Sequence, residues 1–266
     1  MSVKREIVAR LNHTPVIDSI VYTAKHGPAR GLRRQGGMGW LPGVVPRSHE
    51  WSAEEAFLES LDWTGLNVYD VGGDQGIFTL FFANRVGARG QVVVFEPNPR
   101  SCARIERNIS LNNFDNVRLM PFGLGDTHAM LPFIFPAFEP ARGSASPEIA
   151  RQIEGEPRAV VLDVEIYALD QARIENDLPI PHFIKMDVEG MEHAALRGMA
   201  ETLRRYQPRL SIEMHGATME QKEANARSVV MFLETVGYRM RHVESGQRID
   251  GLNAHKARQG HLYCDT

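Results

Sequence analysis

Cysteine is scarce in this sequence, with only Cys102 and Cys264 among 266 residues. Two cysteines are too few for the disulfide framework that holds many small secreted domains together. They are also too few for a zinc site built mainly from thiolates. The chain must therefore fold around an ordinary apolar core, and 43% of its residues are hydrophobic.

Long apolar runs and a surplus of one charge are also missing. No stretch approaches the roughly 20 apolar residues that span a bilayer, and the charged start at residues 1–12 has no apolar signal core. The net charge of −3 gives no general attraction to nucleic acid. We therefore expect a cytoplasmic protein with neither membrane nor nucleic-acid partners.

Several nucleotide-site motifs are absent as well. The sequence has no Gly-x-x-x-x-Gly-Lys-Ser/Thr, which disfavours a P-loop phosphate site. It has no Gly-x-Gly-x-x-Gly triplet, which the NAD fingerprint needs. Since a Tyr-x-x-x-Lys pair is also missing, a short-chain oxidoreductase ranks last among the candidate functions.

What the sequence does contain is a strand–turn–helix–strand unit at residues 67–96. A short apolar strand ends at Asp70, a glycine-rich turn follows, a helix is predicted over 77–86, and a second buried strand ends at Glu96. Glycines at such a turn let the backbone approach a ligand closely, and a helix N-terminus offers unpaired N–H donors. A carboxylate ending the next strand can hold two ribose hydroxyls. The unit therefore predicts a nucleoside-cofactor site.

The spacing within the turn favours one cofactor. The pattern is Asp-x-Gly-x-x-x-Gly, formed by Asp70, Gly72 and Gly76, with a further acid at Asp74. Acidic side chains are poor neighbours for a pyrophosphate but good ones for an ammonium group. S-adenosylmethionine has an amino-acid end, a sulfonium and a ribose but no phosphate. It therefore suits this turn and Glu96 better than NAD does.

Alternating strand and helix patterns favour an α/β fold, a mainly parallel sheet with helices on both faces. Residues 130–135 read as an edge strand, and residues 136–158, rich in proline, glycine and serine, are predicted to be a loop beside the site. Further predicted helices cover residues 52–61, 98–111, 192–205 and 219–236, with a short one from 169. Further predicted strands cover residues 116–120, 160–166, 182–186, 209–214, 238–243 and 260–264.

The first 50 residues differ in composition from the rest. No acidic residue occurs between Asp18 and Glu50, whereas Lys25 and four arginines do, and glycine and proline are frequent. We expect residues 1–50 to form a mostly loop extension, acting as a lid, an anion-contacting arm, a solvated basic segment or a subunit contact. Residues 51–266 are expected to form the main domain.

A second group of polar residues marks the ends of two later strands. Asp187 ends one strand, Lys185 shares its face by alternation, and Glu189 lies in the turn that follows. On the next strand Glu213 and His215 also share a face. Ligands of open α/β sheets bind beyond the carboxyl ends of the strands. If the two strands are neighbours, these side chains converge beside the glycine turn.

Crowded carboxylates must be paired, protonated or bound to a metal, which leaves three interpretations. In the first, Asp187 or His215 is the general base that takes a hydroxyl proton during methyl transfer. In the second, which we do not favour, Asp187 with one or two of Glu189, Glu213 and His215 binds Mg²⁺ and orients a substrate hydroxyl. In the third, Glu189 and Glu192 cap the start of the next helix, Lys185 pairs with Glu213, and His215 is structural.

Five short segments carry a resemblance to a known family. They are DVGGDQG (70–76), VVVFEPNP (92–99), LGD (124–126), IKMDVEGME (184–192) and IEMHG (212–216). With this set the sequence resembles the FkbM family of S-adenosylmethionine-dependent methyltransferases over residues 50–216. The resemblance implies a Rossmann-like class I methyltransferase fold, a seven-stranded sheet with an antiparallel last strand. It also implies O-methylation of a hydroxyl on a sugar, glycoside or polyketide-type natural product.

The resemblance also assigns the site residues. The methionine end of the cofactor is expected on the glycine turn, the ribose on Glu96, and the adenine near residues 116–126. The family usually has Ala-Asn where this sequence has Gly73 and Asp74. The expected cofactor-binding residues are Asp70, Gly72, Gly73, Gln75, Gly76, Glu96 and Asp126, and the expected catalytic residues are Asp187, His215, Glu213 and Lys185.

The resulting hypothesis is an O-methyltransferase for a small hydroxylated acceptor, with Asp187 as the polar anchor of the acceptor hydroxyl. The alternative is a non-catalytic S-adenosylmethionine-binding regulatory or scaffold protein of the same fold. An amino-methyltransferase of nucleic acid is disfavoured, because Asp187-Val188-Glu189-Gly190 stands where its Asn/Asp-Pro-Pro-aromatic run would be. A homo-oligomer is a further alternative, since residues 1–50 are compatible with a subunit contact.

Overall fold

One large sheet organises the chain, which the computed structural model describes over residues 19–36, 51–137, 142–156 and 158–266. The main-sheet strands are β3 (Asn67–Val71), β4 (Gln91–Phe95), β5 (Val117–Met120), β9 (Phe183–Met186), β10 (Arg209–Glu213), β11 (Arg239–His242), β12 (Arg248–Ile249) and β13 (His261–Asp265). Within the sheet these strands lie in the order β12-β11-β13-β10-β9-β3-β4-β5.

The directions of these strands confirm the expected α/β topology. β3, β4, β5, β9 and β10 pair in parallel. The last strand, β13, runs antiparallel to both β10 and β11, as the resemblance implied. The two-residue strand β12 adds an antiparallel edge, which makes eight strands in place of seven. β3 lies between β4 and β9, so the carboxyl ends of these three strands meet at one edge.

Helices cover both faces of the sheet within the described residues. Strand alternation sends Tyr69 and Ile184 to one face, where they join Leu203 and Val229 in the larger apolar core. The opposite face carries a smaller aromatic core around Trp63. The helices are α1 (Ala53–Glu59), α2 (Ile77–Val86), α3 (Pro99–Leu111), α4 (Pro147–Glu154), α5 (Leu169–Glu175), α6 (Glu192–Gly198), α7 (Ala200–Tyr206) and α8 (Met219–Thr235).

Helix starts follow the signals in the sequence. Ser52 and Glu55 form the predicted capping box of α1, in which each side chain accepts from the other residue's backbone N–H. Asn98 caps α3, which has proline in its first turn. The single helix predicted over 192–205 is wrong, because the chain breaks at Met199 into α6 and α7. Gly198 there lies so close to Gly125 that a Cβ would meet its carbonyl oxygen at 1.8 Å.

A separate three-stranded sheet stands beside the main one. It consists of β6 (Gly123–Leu124), β8 (Ala159–Tyr167) and β7 (Ala129–Pro136), in that order. β7 pairs antiparallel with β8 over its whole length and lies at the edge of this sheet, so the prediction of an edge strand over residues 130–135 is confirmed.

The prediction of loop throughout 136–158 is wrong for helix α4. Ser146 and Pro147 start this helix, and Ile149 and Ile153, one turn apart, pack against Ile134 of β7. Burial of this short apolar stripe by tertiary packing outweighs the local abundance of turn residues.

The described part of the N-terminal extension is a small hairpin and not only loop. β1 (Val21–Thr23) and β2 (Arg33–Gln35) pair antiparallel. Asn108 and Asn112 of α3 accept hydrogen bonds from the backbone of β2. Residues 1–18 and 37–50 lie outside the described residues, so the lid and subunit-contact hypotheses stay predictions.

No helix among the described residues combines the length and the apolar character needed to cross a bilayer.

Candidate active site

The glycine turn at the end of β3 packs against the strand that carries Asp187. Gly72 has φ +85°, and a Cβ on it would meet the Asp187 carbonyl oxygen at 1.8 Å. Only glycine fits this position, for both reasons. Gly76 has φ +77° and caps helix α2. The turn therefore brings two parallel strand ends into direct backbone contact.

Asp70 is buried beneath this turn. It is 1% exposed, and Thr79 Oγ1 donates a hydrogen bond of 2.6 Å to its Oδ2. Burial raises its pKa to about 6, against the opposing effect of the Lys185 ammonium and the Thr79 hydrogen bond. Asp70 thus holds the start of helix α2 from below and does not line the cleft described next.

A cleft opens between the glycine turn, the end of β4 and the separate sheet. It contains four of the residues expected from the sequence, namely Gly72, Glu96, Asp187 and Glu189. Its lining residues are Val71, Gly72, Asp74, Phe95, Glu96, Pro97, Ser101, Gly123, Leu124, Phe133, Gly143, Ala145, Ile166, Asp187, Val188, Glu189 and Met191.

Glu96 closes the turn from the side of β4. Its Oε2 accepts a hydrogen bond from the Asp74 backbone and its Oε1 one from the Asn98 backbone, both at 2.8 Å. Burial raises its pKa to about 8, although these two bonds favour the charged form. Each oxygen keeps a further lone pair, so the group can still accept hydroxyls from a ligand in the cleft.

Asp74 has a conformation that explains its residue type. Its φ is +44°, in the left-handed region that asparagine and aspartate tolerate best after glycine. Its Oδ1 is buried without a hydrogen-bond partner, and burial raises its pKa. An unpaired buried oxygen in a cleft is a strong acceptor for a cationic or N–H group of a ligand.

Three further expected cofactor residues stand away from the cleft lining. Gly73 packs against Val94, and the Gln75 carbonyl accepts from Asn108 Nδ2 at 3.0 Å. Asp126 forms a surface ion pair with Arg197. These residues shape or border the turn, and the cleft itself is built from other side chains.

Lys185 is the cation at the centre of the acidic group. It is 2% exposed, and its ammonium lies 3.7 Å from a carboxylate oxygen of Asp187 and of Glu54. The Phe78 ring stands 4.6 Å from the same ammonium. Burial alone would lower the pKa of Lys185, but the surrounding carboxylates raise it above its ordinary value. Lys185 is therefore a fixed positive charge beneath Asp187.

His215 joins the acids of two strand ends, as the sequence predicts for neighbouring strands. Its Nδ1 lies 2.9 Å from Glu192. Its Nε2 faces Glu213 at 3.5 Å and Asp187 and Glu189 at 3.8 Å each. Burial opposes the charged imidazole, but hydrogen bonds to Glu192 and Glu213 raise its pKa to about 11. The ring is therefore cationic at neutral pH.

Asp187 and Glu213 differ in their readiness to take a proton. Burial raises the pKa of Asp187 to about 7, against the attraction of Lys185. Glu213 is buried too, but the imidazoles of His215 and His261 beside it hold its pKa well below the usual range. Of the two carboxylates, Asp187 is the one poised to exchange a proton near neutral pH.

Comparison with known proteins decides the family. The sequence matches the family described as the Methyltransferase FkbM domain over residues 70–240, more than half of the chain. The chain belongs to the FkbM methyltransferase family.

Individual relatives of this FkbM chain are distant. Methyltransferase 1 of Beauveria bassiana (strain ARSEF 2860) is 28% identical over 146 residues, which is 50% of this chain and 57% of that protein. The alignment therefore spans little more than half the length of that relative.

Solved structures with similar folds are more distant still. Methyltransferase FkbM from Methylobacillus flagellatus KT aligns with a TM-score of 0.48 and 17% identity, over 78% of this chain and 45% of its own. Fibrillarin of Aeropyrum pernix, in complex with natively bound S-adenosyl-L-methionine, aligns with a TM-score of 0.47 and 12% identity, over 89% of this chain and 90% of its own.

Sequence reasoning missed two residues of this FkbM site and one of its supports. Glu54 and His261 belong to the same charged network as Lys185 and Glu213. Ser144, in the segment taken for a loop, donates a 2.6 Å hydrogen bond to the Glu189 carbonyl. No local motif marks these positions, because helix α1, strand β13 and the separate sheet meet the site only in the folded chain.

Proposed function

We propose that this FkbM family member is an S-adenosylmethionine-dependent O-methyltransferase acting on a small hydroxylated acceptor. The observation that carries the proposal is the composition of one cleft. It brings the glycine turn and Glu96 together with Asp187, the carboxylate poised for proton exchange. The end of the cleft at the glycine turn and Glu96 thus suits a nucleoside with an amino-acid group. The end at Asp187 suits the acceptor.

The residues of the cleft fit S-adenosylmethionine. The orphaned Asp74 oxygen suits its ammonium group, and Glu96 suits the two ribose hydroxyls. Gly72 leaves bare backbone where a Cβ could not fit. When bound, the cofactor supplies an electrophilic methyl group on its sulfonium, so the protein needs mainly to position the acceptor and remove its proton.

Asp187 is the group that holds the acceptor hydroxyl and takes its proton. Lys185 lies beneath it and His215 beside it, and these two cations balance the neighbouring Glu213. Carboxylates are strong acceptors for several hydroxyls at once, so this surface favours a polyhydroxylated acceptor such as a sugar or glycoside. His215, cationic at neutral pH, supports the carboxylates and does not act as the base.

A magnesium-dependent version of this reaction is less well supported. The donor atoms within 4.8 Å of one another belong to Asp187, Glu213 and His215, and Glu189 is not among them. Mg²⁺ prefers oxygen donors in octahedral geometry, whereas this set includes an imidazole. We therefore expect that adding Mg²⁺ to chelator-treated enzyme leaves the rate unchanged. A rate that rises severalfold would favour the metal mechanism.

The proposal is tested by incubating the protein with methyl-labelled S-adenosylmethionine and a panel of hydroxylated acceptors. We expect label on a hydroxyl oxygen of at least one sugar or glycoside, as a base-stable ether located by mass spectrometry. Label on nitrogen or carbon would contradict O-methylation. Tight cofactor binding without transfer to any class of acceptor would favour the non-catalytic alternative.

A further inference from the structure

A second group of carboxylates and histidine lies beside the proposed active site. We call it the Glu54 group; it consists of Glu54, Glu213 and His261. One donor atom from each residue lies within 4.8 Å of the other two. Glu213 connects the two groups, because its Oε1 faces His215 at 3.5 Å while its Oε2 faces His261 at 3.4 Å.

The fold fixes the three residues from three separate elements. Glu213 and His261 are direct partners in the antiparallel pairing of β10 with β13, so their side chains share one face of the sheet. Glu54 comes from the first turn of α1, which the Ser52–Glu55 capping box holds in place. The group is therefore positioned by rigid elements and not by a loop.

The orientation of the His261 ring is set by Glu244. His261 Nδ1 lies 2.6 Å from Glu244 Oε1, and the other oxygen of Glu244 accepts the backbone N–H of His261. A carboxylate that accepts the Nδ1 proton leaves Nε2 to face the interior. Metal-binding histidines are typically held in this way by an outer carboxylate.

Two interior atoms of the group have charged neighbours but no hydrogen bonds. His261 Nε2 lies 3.2 Å from Glu54 and 3.4 Å from Glu213, yet neither contact has hydrogen-bond geometry. Glu54 is 94% buried, since its exposure is 6%, and its Oε1 is also without a hydrogen-bond partner. The nearest cation, Lys185, stands 3.7 Å from that oxygen.

Such an arrangement requires a positive charge between its members. An unprotonated Nε2 that faces two carboxylates leaves three lone pairs opposed in a buried space, which is unfavourable. Lys185 is shared with Asp187 and therefore compensates only part of this charge. A proton on Nε2 or a bound metal ion can supply the remainder.

We propose that Glu54, Glu213 and His261 bind one divalent transition-metal ion, of the class of Zn²⁺ or Mn²⁺. One imidazole and two carboxylates suit these ions better than Mg²⁺, which prefers oxygen donors alone. An ion bound there fixes the carboxylate of Glu213. It thereby also fixes the position of the Glu213 oxygen that faces His215. The site shares Glu213 with the neighbouring group of Asp187, Glu213 and His215, but metal binding there does not depend on the proposed methyl transfer.

Direct metal binding tests this inference without cofactor or acceptor. The full chain is stripped with a chelator and titrated with Zn²⁺ and with Mn²⁺ against a chromophoric competitor. We expect one ion per chain, with Mg²⁺ competing weakly. His261→Gln and Glu54→Gln should each lower the affinity at least tenfold. Glu244→Gln, a change at an exposed position, should also lower the affinity, because the ring loses its outer carboxylate.

His128→Gln is the matched control. His128 also pairs with a glutamate, Glu165, at 2.9 Å, but this pair lies on the exposed surface of the separate sheet. The His128→Gln variant should bind metal with the affinity of wild type. The His215→Gln variant should also retain the ion. Wild type that binds no better than His261→Gln would overturn the inference in favour of a protonated ring. Binding lost in His215→Gln but kept in His261→Gln would place the ion in the other group and equally overturn it. Circular dichroism of each variant checks that the fold is retained.

Discussion

Asp187 is the residue on which the proposed reaction depends most. Asp187→Asn keeps the shape of the side chain but removes the proton acceptor, so the turnover rate should fall by about 10²- to 10⁴-fold. The cofactor end of the cleft is unaffected, and the dissociation constant for S-adenosylmethionine should change less than about threefold. Steady-state kinetics and calorimetry measure the two quantities. An Asp187→Asn enzyme of near wild-type rate would remove Asp187 from the role of base.

Glu96 makes the binding of S-adenosylmethionine depend on pH. Because burial raises its pKa to about 8, the carboxyl of the free protein is largely neutral at pH 6 and becomes ionised as the pH rises through 8. The ionised form accepts both ribose hydroxyls, so affinity should increase across this range and binding below pH 8 should release a proton.

Glu96→Gln is the control for this pH dependence. It should weaken binding by roughly 10- to 100-fold at pH 9, the typical value of a hydrogen bond to a charged group, and flatten the profile. An affinity of wild type that stays constant between pH 6 and 9 would contradict the ribose role of Glu96.

Gly72 tests the contact between the glycine turn and the strand of Asp187. Gly72→Ala combines a left-handed backbone with a Cβ at 1.8 Å from the Asp187 carbonyl oxygen. We expect a loss of about 2–5 kcal/mol in the free energy of unfolding, from strain and overpacking together.

Gly87→Ala separates these two causes. Gly87 also has a positive φ, +65°, but a Cβ there would meet nothing within 4 Å. Gly87→Ala should lower the unfolding free energy by about 1–3 kcal/mol, from backbone strain alone. Urea denaturation of both variants measures the difference, and equal losses would mean that the close approach is not maintained in solution.

At this scale the sequence predicted the residue types but not all of their roles. Asp187, Glu213 and His215 meet as expected, because the strands that carry them are neighbours. Glu54 and His261 could not be predicted, since they are about 200 residues apart in the sequence and meet only through the packing of α1 on β13.

Among the elements, the segment between strand β7 and helix α4 has the clearest link to the site. Ser144 is 1% exposed and donates to the carbonyl of Glu189, a residue with φ +46°. Ser144→Ala leaves this carbonyl unpaired, which should cost about 1–3 kcal/mol of unfolding free energy and lower the turnover rate.

Ser60→Ala provides a matched comparison. Ser60 Oγ donates a bond of the same length, 2.6 Å, to the Phe57 carbonyl, but on the exposed surface where water can replace it. It should cost less than about 0.5 kcal/mol and leave turnover unchanged. A Ser144→Ala enzyme that behaves like Ser60→Ala would show that the segment between β7 and α4 does not support the turn at Glu189.

Elements with strong local signals were predicted correctly, and those that depend on tertiary packing were not. The capping box that starts α1 and the Asn98-Pro99 pair that starts α3 are local signals, so these helices were predicted from the sequence. The break at Met199 and helix α4 depend on packing against Gly125 and Ile134, which no short window of sequence contains. Strands β7 and β8 were found, but alternation alone cannot say which sheet a strand joins.

For the whole molecule, the antiparallel last strand followed from the family resemblance and not from periodicity. Alternating β and α patterns predict a parallel sheet, whereas the insertion of β13 between β10 and β11 involves contacts distant in sequence. The separate sheet, and the edge strand β12, were not anticipated.

We propose that the cleft between these elements binds S-adenosylmethionine, and calorimetric titration of the full chain measures this binding. We predict saturable binding of one S-adenosylmethionine per chain and no measurable binding of NAD under the same conditions. At a ligand concentration 100 times the dissociation constant, the unfolding free energy should rise by about 2.7 kcal/mol. Tight binding of NAD together with no heat from S-adenosylmethionine would contradict the proposal that this cleft binds S-adenosylmethionine.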